Sequence, residues 1–256
     1  MVFKYLFSFF ALSVLLTSCV DDEVPPSTLV FADVDLVVLG KYDGAPFVQN
    51  RVYSYNDGSS VRFSEFNFFI SELTTTVDVD QSFSLDDVEY IDLALFQGEA
   101  AAISGFLINV GRAPVDEYRG FSFGIGVSPE LNQTTPDEYG QNHPMGHADR
   151  YDADLNGYRF MTIAGEVDYD SDDIFDESFN FVLGFDQNYK MISSTKTVDI
   201  LADMTNVIEV EVDLKQILDN GIRSIDFMDQ LNTSPNPSDE IMLLLNSNIA
   251  GAISVN

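Results

Sequence analysis

Phe121-Ser122-Phe123-Gly124-Ile125-Gly126-Val127 alternates large apolar side chains with serine and glycine, the two-residue period of a strand that buries one face. The same period recurs on both sides of it. Phe179, Phe181, Leu183 and Phe185 alternate with Ser178, Asn180, Val182 and Gly184, and Ile208, Val210, Val212 and Leu214 alternate with Glu209, Glu211 and Asp213. Earlier in the chain, Val30, Ala32, Val34, Leu36 and Val38 alternate with Phe31, Asp33, Asp35 and Val37. Between Val61 and Ile70 the apolar set moves from odd to even positions at Ser64-Glu65, which predicts a β-bulge, an extra residue that shifts the phase. Helical signals are confined to Leu214 through Asn220, stopped by Gly221, and to the stretch from Ile241 to Ile253. Many strands, one or two short helices and long polar loops predict an all-β fold, an antiparallel β-sandwich. No repeat or composition break divides the chain after Pro26, so residues 28–256 are expected to form a single domain.

The start of the chain is read separately. Lys4 precedes an apolar run from Leu6 to Leu16, too short to span a bilayer but suited to the core of a signal peptide. It ends in Leu16-Thr17-Ser18-Cys19, which resembles a bacterial lipobox, and Cys19 is the only cysteine. Lipidation of a new N-terminus explains an unpaired cysteine in an exported chain. Residues 1–18 are therefore read as a lipoprotein signal peptide and residues 19–27 as a lipidated acidic tether. Val20-Asp21-Asp22-Glu23 before Pro25-Pro26 is similar to the tether of Bacteroidota-type surface lipoproteins, and also has the composition of a plain solvated spacer. The expected location is the outer membrane, on its periplasmic or cell-surface face.

Apolar residues make up 45% of the chain, enough for a real core, yet 42 acids against 12 bases give a formal net charge of −30. Such a surface repels nucleic-acid phosphates and anionic headgroups. Nucleic acid is thereby excluded as a partner, and membrane attachment must come from the N-terminal lipid.

Both histidines lie between Asn142 and Gly157, which makes this stretch the candidate metal site. His143 and His147, with Met145 between them, offer the soft and borderline donors that suit copper. Asp152, Asp154 and Asn156, at steps of two and followed by Gly157, follow the first half of a calcium loop. The twelfth position of such a loop is Ile163, so calcium would need remote oxygens from Asp149, Glu138 or the acidic run from Asp168 to Glu177. The bland alternatives are an Asp/Asn/Gly turn entering a strand and, for the acidic run, a solvated hairpin loop.

Several blocks carry a family resemblance. They are Val61-Arg62-Phe63-Ser64-Glu65-Phe66-Asn67-Phe68-Phe69-Ile70-Ser71-Glu72-Leu73, then Phe121 to Val127 followed by Asn132, then Asn142-His143-Pro144-Met145. Gly157-Tyr158-Arg159-Phe160-Met161-Thr162-Ile163-Ala164-Gly165-Glu166, Phe181-Val182-Leu183-Gly184 and Asn248-Ile249-Ala250-Gly251-Ala252-Ile253 follow in order. Together they resemble the MbnP-like proteins over most of residues 28–253. The resemblance implies a periplasmic or surface β-sandwich associated with copper, in which histidine and a tryptophan, sometimes oxidised by a partner di-haem enzyme, surround the metal. The chain departs from that pattern where the metal would sit. Arg150-Tyr151-Asp152-Ala153-Asp154 stands where the family shows M-Y-W-x-W, Val182 stands at the histidine of its F-x-H-x-G element, and the chain has no tryptophan.

No enzyme is expected. There is no Gly-x-Ser-x-Gly elbow and no phosphate-cradling glycine loop, Cys19 is taken by the anchor, and carboxylates are too numerous for any pair to stand out. The sequence thus predicts a lipid-anchored, metal-handling binding protein with neither haem nor nucleotide. Its metal would be copper by resemblance or calcium by local oxygens, and its partner an outer-membrane receptor or a di-haem enzyme. The competing expectation is a surface interaction or adhesion module whose loop is structural or calcium-ordered.

Overall fold

The strand Ser60–Asp78 carries the larger of two sheets, and its phase shift is where the sequence places it. Ala164 pairs with Glu65 and Gly165 with Phe63, so Ser64 is the extra residue of a bulge. The computed structural model describes residues 29–56, 58–78 and 81–256; the signal peptide, Cys19 and the tether through Ser27 fall outside the described residues. The principal strands are β1 (Phe31–Tyr42), β2 (Ser60–Asp78), β3 (Gln81–Asp92), β4 (Phe106–Pro114), β5 (Gly120–Ile125), β6 (Met161–Asp168), β7 (Glu177–Leu183), β8 (Lys190–Ser194), β9 (Asn206–Asp213) and β10 (Ile253–Val255).

The larger sheet has seven strands and is built around β2. One edge of β2 pairs with Tyr53–Ser54 and then with β3; the opposite edge pairs with β6 along its first half and β5 along its second. β7 and β8 extend β6 and β5 outward. The smaller, five-stranded sheet places β1 between β9 on one side and β4 with Ala45–Pro46 on the other. Here one pair departs from the expected antiparallel pattern. Val34 to Lys41 runs parallel to Asn206 to Asp213, and a connection this long imposes none of the reversal that a hairpin does.

The result is an all-β, sandwich-like fold whose aromatic core lies between the sheets. Val34, Leu36 and Val38 of β1 are buried with Phe63, Phe66 and Phe68 of β2 and Phe179 and Phe181 of β7. Edge-on ring packing, such as Phe63 on Phe179 at 5.7 Å and Phe47 on Phe66 at 5.5 Å, fills it. Among the described residues three α-helices complete the fold: α1 (Glu99–Ser104), α2 (Leu214–Leu218) and α3 (Glu240–Ala252). Asp213 and Asp239 cap α2 and α3 by accepting backbone N–H bonds. α3 buries Ile241, Met242, Leu245 and Ile249 along one stripe.

Phe69 breaks the alternation of β2. Its neighbours Phe68 and Ile70 face the core, so its own ring points to the outer face, where a solvated sheet would carry a polar residue. It is fully buried there, edge-on to Tyr90 of β3 at 5.0 Å and to Tyr158 at 5.8 Å. Its N–H donates to the Phe160 carbonyl and its carbonyl accepts from the Gly126 N–H. Residues 127–160 therefore leave β5 and return to β6 at the same residue of β2, lying across the outer face as a cover. Phe69→Ala is expected to cost about 3–5 kcal/mol, the cost of emptying a buried aromatic site. In urea denaturation this appears as a lower midpoint at an unchanged slope, whereas Leu107→Ala, at a side chain 61% exposed, should stay within about 0.5 kcal/mol.

Candidate functional site

The cover contains the sequence-predicted residues. His143 stacks on Tyr139, ring centroids 4.4 Å apart, and its Nδ1 accepts from the Met145 N–H at 3.1 Å. That acceptor role leaves the proton of the neutral ring on Nε2. Met145 has no exposed surface; its thioether belongs to the core, and its carbonyl accepts from the Tyr158 hydroxyl. Burial pushes that phenol up to about 12. His147 precedes a short 3-10 turn, Ala148–Arg150, half-buried and without a side-chain capping bond. Asp149 in that turn is exposed.

Asp152, Asp154 and Asn156 are used by the local turn. Asp152 Oδ1 accepts from the Asp154 N–H, a 3-10 turn follows over Ala153–Leu155, and Asn156 ends it in the left-handed region at φ 53°. Gly157 then passes against Asn132 so closely that a β-carbon would lie 2.3 Å from its side-chain oxygen. Asn132 anchors the cover by accepting from the Tyr158 N–H and donating to Asp186, each at 2.8 Å.

Among the described residues, the one set of three or more His, Cys, Asp or Glu whose ligand atoms converge is Asp168, Asp170 and Asp176, all within 4.8 Å of one another. It lies in the hairpin between β6 and β7, outside the 143–156 stretch. Asp168 already accepts from the Asp172 and Asp173 N–H groups, and Asp176 from the Tyr169 N–H. Repulsion from Asp172 raises the Asp170 carboxyl above its usual range.

Where the cover stops, the outer face of the large sheet opens into a polar trough. One hollow of it has a volume of about 520 Å³ between Glu65, Asn67, Asp92 and Thr162 on the sheet and Asp149 and Arg150 on the cover. A second hollow of about 430 Å³ adjoins it through Ser64, Glu65, Arg159 and Thr162. Arg150 forms the wall: its guanidinium lies 3.7 Å over the Tyr90 ring and donates to the Pro144 carbonyl. Desolvation, with a smaller contribution from Glu65, raises the Asp92 carboxyl. Sequence reading did not single out Asn67, Asp92, Thr162 or Asn180. The available signal was a lone polar residue between two core residues, as in Phe66-Asn67-Phe68, Met161-Thr162-Ile163 and Phe179-Asn180-Phe181.

The sequence profile of the MbnP family matches residues 32–240 of this chain. The chain belongs to the MbnP family. No curated protein matches it in sequence. Its fold is similar to that of MbnP from Methylosinus trichosporium, with a TM-score of 0.59 at 12% identity, over 89% of this chain and 99% of that one.

MbnP proteins are linked to copper handling, and the residues present here do not fit a copper site. The two departures from the family pattern meet in space: Asp152, Asp154 and Val182 line one hollow of about 200 Å³ with Arg159 and Thr233. Arg159 donates through Nε and Nη2 to Asp152 Oδ2, at 3.3 and 3.0 Å. A permanent guanidinium there repels a cation and occupies the nearest carboxylate. His143 Nδ1 accepts the Met145 N–H, the Met145 thioether is buried in the core, and His147 joins no converging set of three His, Cys, Asp or Glu ligands among the described residues. Asn132→Ala should therefore act on stability rather than on metal. It leaves the buried Tyr158 N–H unpaired, at an expected cost of about 1–3 kcal/mol in urea denaturation.

Proposed function

We propose that the protein is a lipid-anchored, extracytoplasmic binding module that keeps the MbnP sandwich without a copper site, its binding surface being the outer face of the large sheet. The observation that carries this reading is the Asp152–Arg159 ion pair, set beside Val182 in the hollow where the departures from the family pattern converge. The trough alongside is preformed, bounded by strands and by a cover whose anchor residues are buried. The lipid anchor rests on Leu16-Thr17-Ser18-Cys19 and on Cys19 being the single cysteine. Outer-membrane location is supported by the acidic Val20-Asp21-Asp22-Glu23 that comes after it. Metal handling is the competing reading, with the hairpin carboxylates as its oxygen-rich place.

Two measurements test the proposal. Protein purified without chelator and analysed for metal should carry copper far below stoichiometry, and copper titration should be unaffected in a His143→Ala/His147→Ala double variant. Stoichiometric copper that disappears in the double variant would overturn it, and stoichiometric calcium lost in Asp170→Asn would transfer the function to metal handling. Separately, Cys19→Ser should stop incorporation of labelled palmitate and release the protein from the membrane fraction. Retention there would refute the anchor.

A further inference from the structure

Fifteen large apolar side chains are exposed among the described residues, and six of them gather at one end of the sandwich: Leu29, Val30, Phe31, Leu201, Met204 and Val207. Single exposed apolar residues are ordinary, whereas a contiguous set marks a surface that something covers. The parallel pairing of β1 with β9 creates this set. It begins at Val34 opposite Asn206, so the residues leading into the two strands, 29–33 and 201–205, emerge side by side at the same end, with about 4.8 Å from strand to strand.

Hydrogen bonds hold both segments in place. The buried Asn206 side chain accepts from the Leu201 N–H at 2.8 Å and donates to the Asp33 and Leu201 carbonyls, each at 3.1 Å. One amide thus ties the 201–204 turn to the start of β1. On the other side of β1, the Val30 carbonyl accepts from the Val115 N–H at 2.8 Å. Leu201 and Met204 are therefore presented outward by a fixed turn, 50% and 54% exposed.

The occupant follows from where the chain enters the domain. Leu29 is the first described residue, and the nine residues 20–28 separate it from Cys19. These ten Cα steps reach about 35 Å at most. A lipid on Cys19 therefore holds this end of the domain close to the bilayer, at a high effective concentration. The exposed charge here is mainly acidic, Asp116, Glu117, Asp199 and Asp203 against Arg112 and Lys196. Anionic headgroups offer such a surface no attraction, which leaves contact to the apolar side chains.

We propose that this end of the sandwich seats on the lipid surface that carries the anchor, with Phe31, Leu201 and Met204 entering the boundary between headgroups and acyl chains, as the apolar side of an interfacial helix does. The proposal rests on the lipid-anchor reading and gives the attached domain a defined orientation. Asp116–Tyr118, paired with Val198–Ile200, lies at the same end, and the next N–H, that of Arg119, donates to the Thr76 carbonyl. Nine residues of β2, about 30 Å of strand, separate Thr76 from Asn67. The trough is thereby set back from the lipid.

The chain has no tryptophan, so single fluorescent reporters test the seating: Phe31→Trp and Met204→Trp in the patch, and Ile222→Trp, 90% exposed, beyond the far end of β9. Each lipidated protein is reconstituted into phosphatidylcholine vesicles with brominated acyl chains; circular dichroism checks folding, and flotation checks that it stays with the vesicles. The expected result is blue-shifted emission and roughly twofold quenching at positions 31 and 204, with little at 222. Adding Leu201→Ser and Met204→Ser to Phe31→Trp should return it to the Ile222→Trp level with flotation unchanged. Repulsion of a chain of charge −30 predicts weaker quenching in vesicles that contain phosphatidylglycerol, restored by salt. Protein that floats with its reporters unquenched, or equally quenched at all three positions, overturns the seating and leaves the anchor standing. Protein that does not float overturns the anchor and the seating with it. Blue-shifted but unquenched emission at 31 and 204, the mark of a second copy on the patch, overturns the seating as well, and so does quenching that salt removes.

Discussion

Phe69 uses both backbone hydrogen-bonding groups on one edge of β2 to hold two distant points of the chain, Phe160 through its N–H and Gly126 through its carbonyl. These bonds fix where β5 ends and β6 begins, and with them the path of the segment between. Its ring lies on the face of the sheet that alternation would give to solvent, and Tyr90 and Tyr158 close over it. The large sheet is consequently covered on both faces along part of its length, by the small sheet on one side and by residues 127–160 on the other. Aromatic side chains this large stabilise by the area they remove from water, so the cover is held by a second apolar cluster continuous with the first.

The trough is the boundary of that cover. Beyond Arg150 and Arg159 the outer face is bare, and its residues become the polar ones that strands carry towards solvent: Asn67, Thr162, Asn180 and Glu65. Rigid strands present them, which fixes their spacing without loop ordering. The family fold has thus been kept while several residues of the family pattern differ. Asp152, paired with Arg159, and Val182 stand where the family pattern has aromatic and imidazole groups, and His143 stacks on Tyr139 and accepts a backbone N–H.

Much of the sandwich was legible because strand periodicity is local. The alternations around Phe121, Phe179 and Ile208 correspond to β5, β7 and β9, the Ser64-Glu65 phase shift is the bulge, and the two helical stretches are α2 and α3. The Asp152 to Gly157 turn was legible for the same reason, as one of two readings of those residues. Three features depended on contacts between distant residues and were not. The parallel pairing of β1 with β9 joins segments at opposite ends of the domain. Convergence of Asp168, Asp170 and Asp176 depends on how the hairpin folds back, which an acidic composition does not specify. The row Asp92, Asn67, Thr162 and Val182 draws one residue from each of four strands, and its register is set only once the sheet is assembled. Phe68-Phe69-Ile70 did hold a local clue, since three successive apolar residues in a strand require cover on both faces.

The central claim is that the cover is part of the core and the trough therefore a fixed site. Native-state hydrogen exchange tests it residue by residue, because amides that open only with the whole domain report the global unfolding free energy. The account predicts that the Tyr158, Asn132 and Gly126 amides exchange with the same opening free energy as the Phe69 and Ile163 amides. Exchange of the Tyr158 and Gly126 amides through a separate, low-energy opening, while Phe69 and Ile163 stay protected to the global limit, would contradict it.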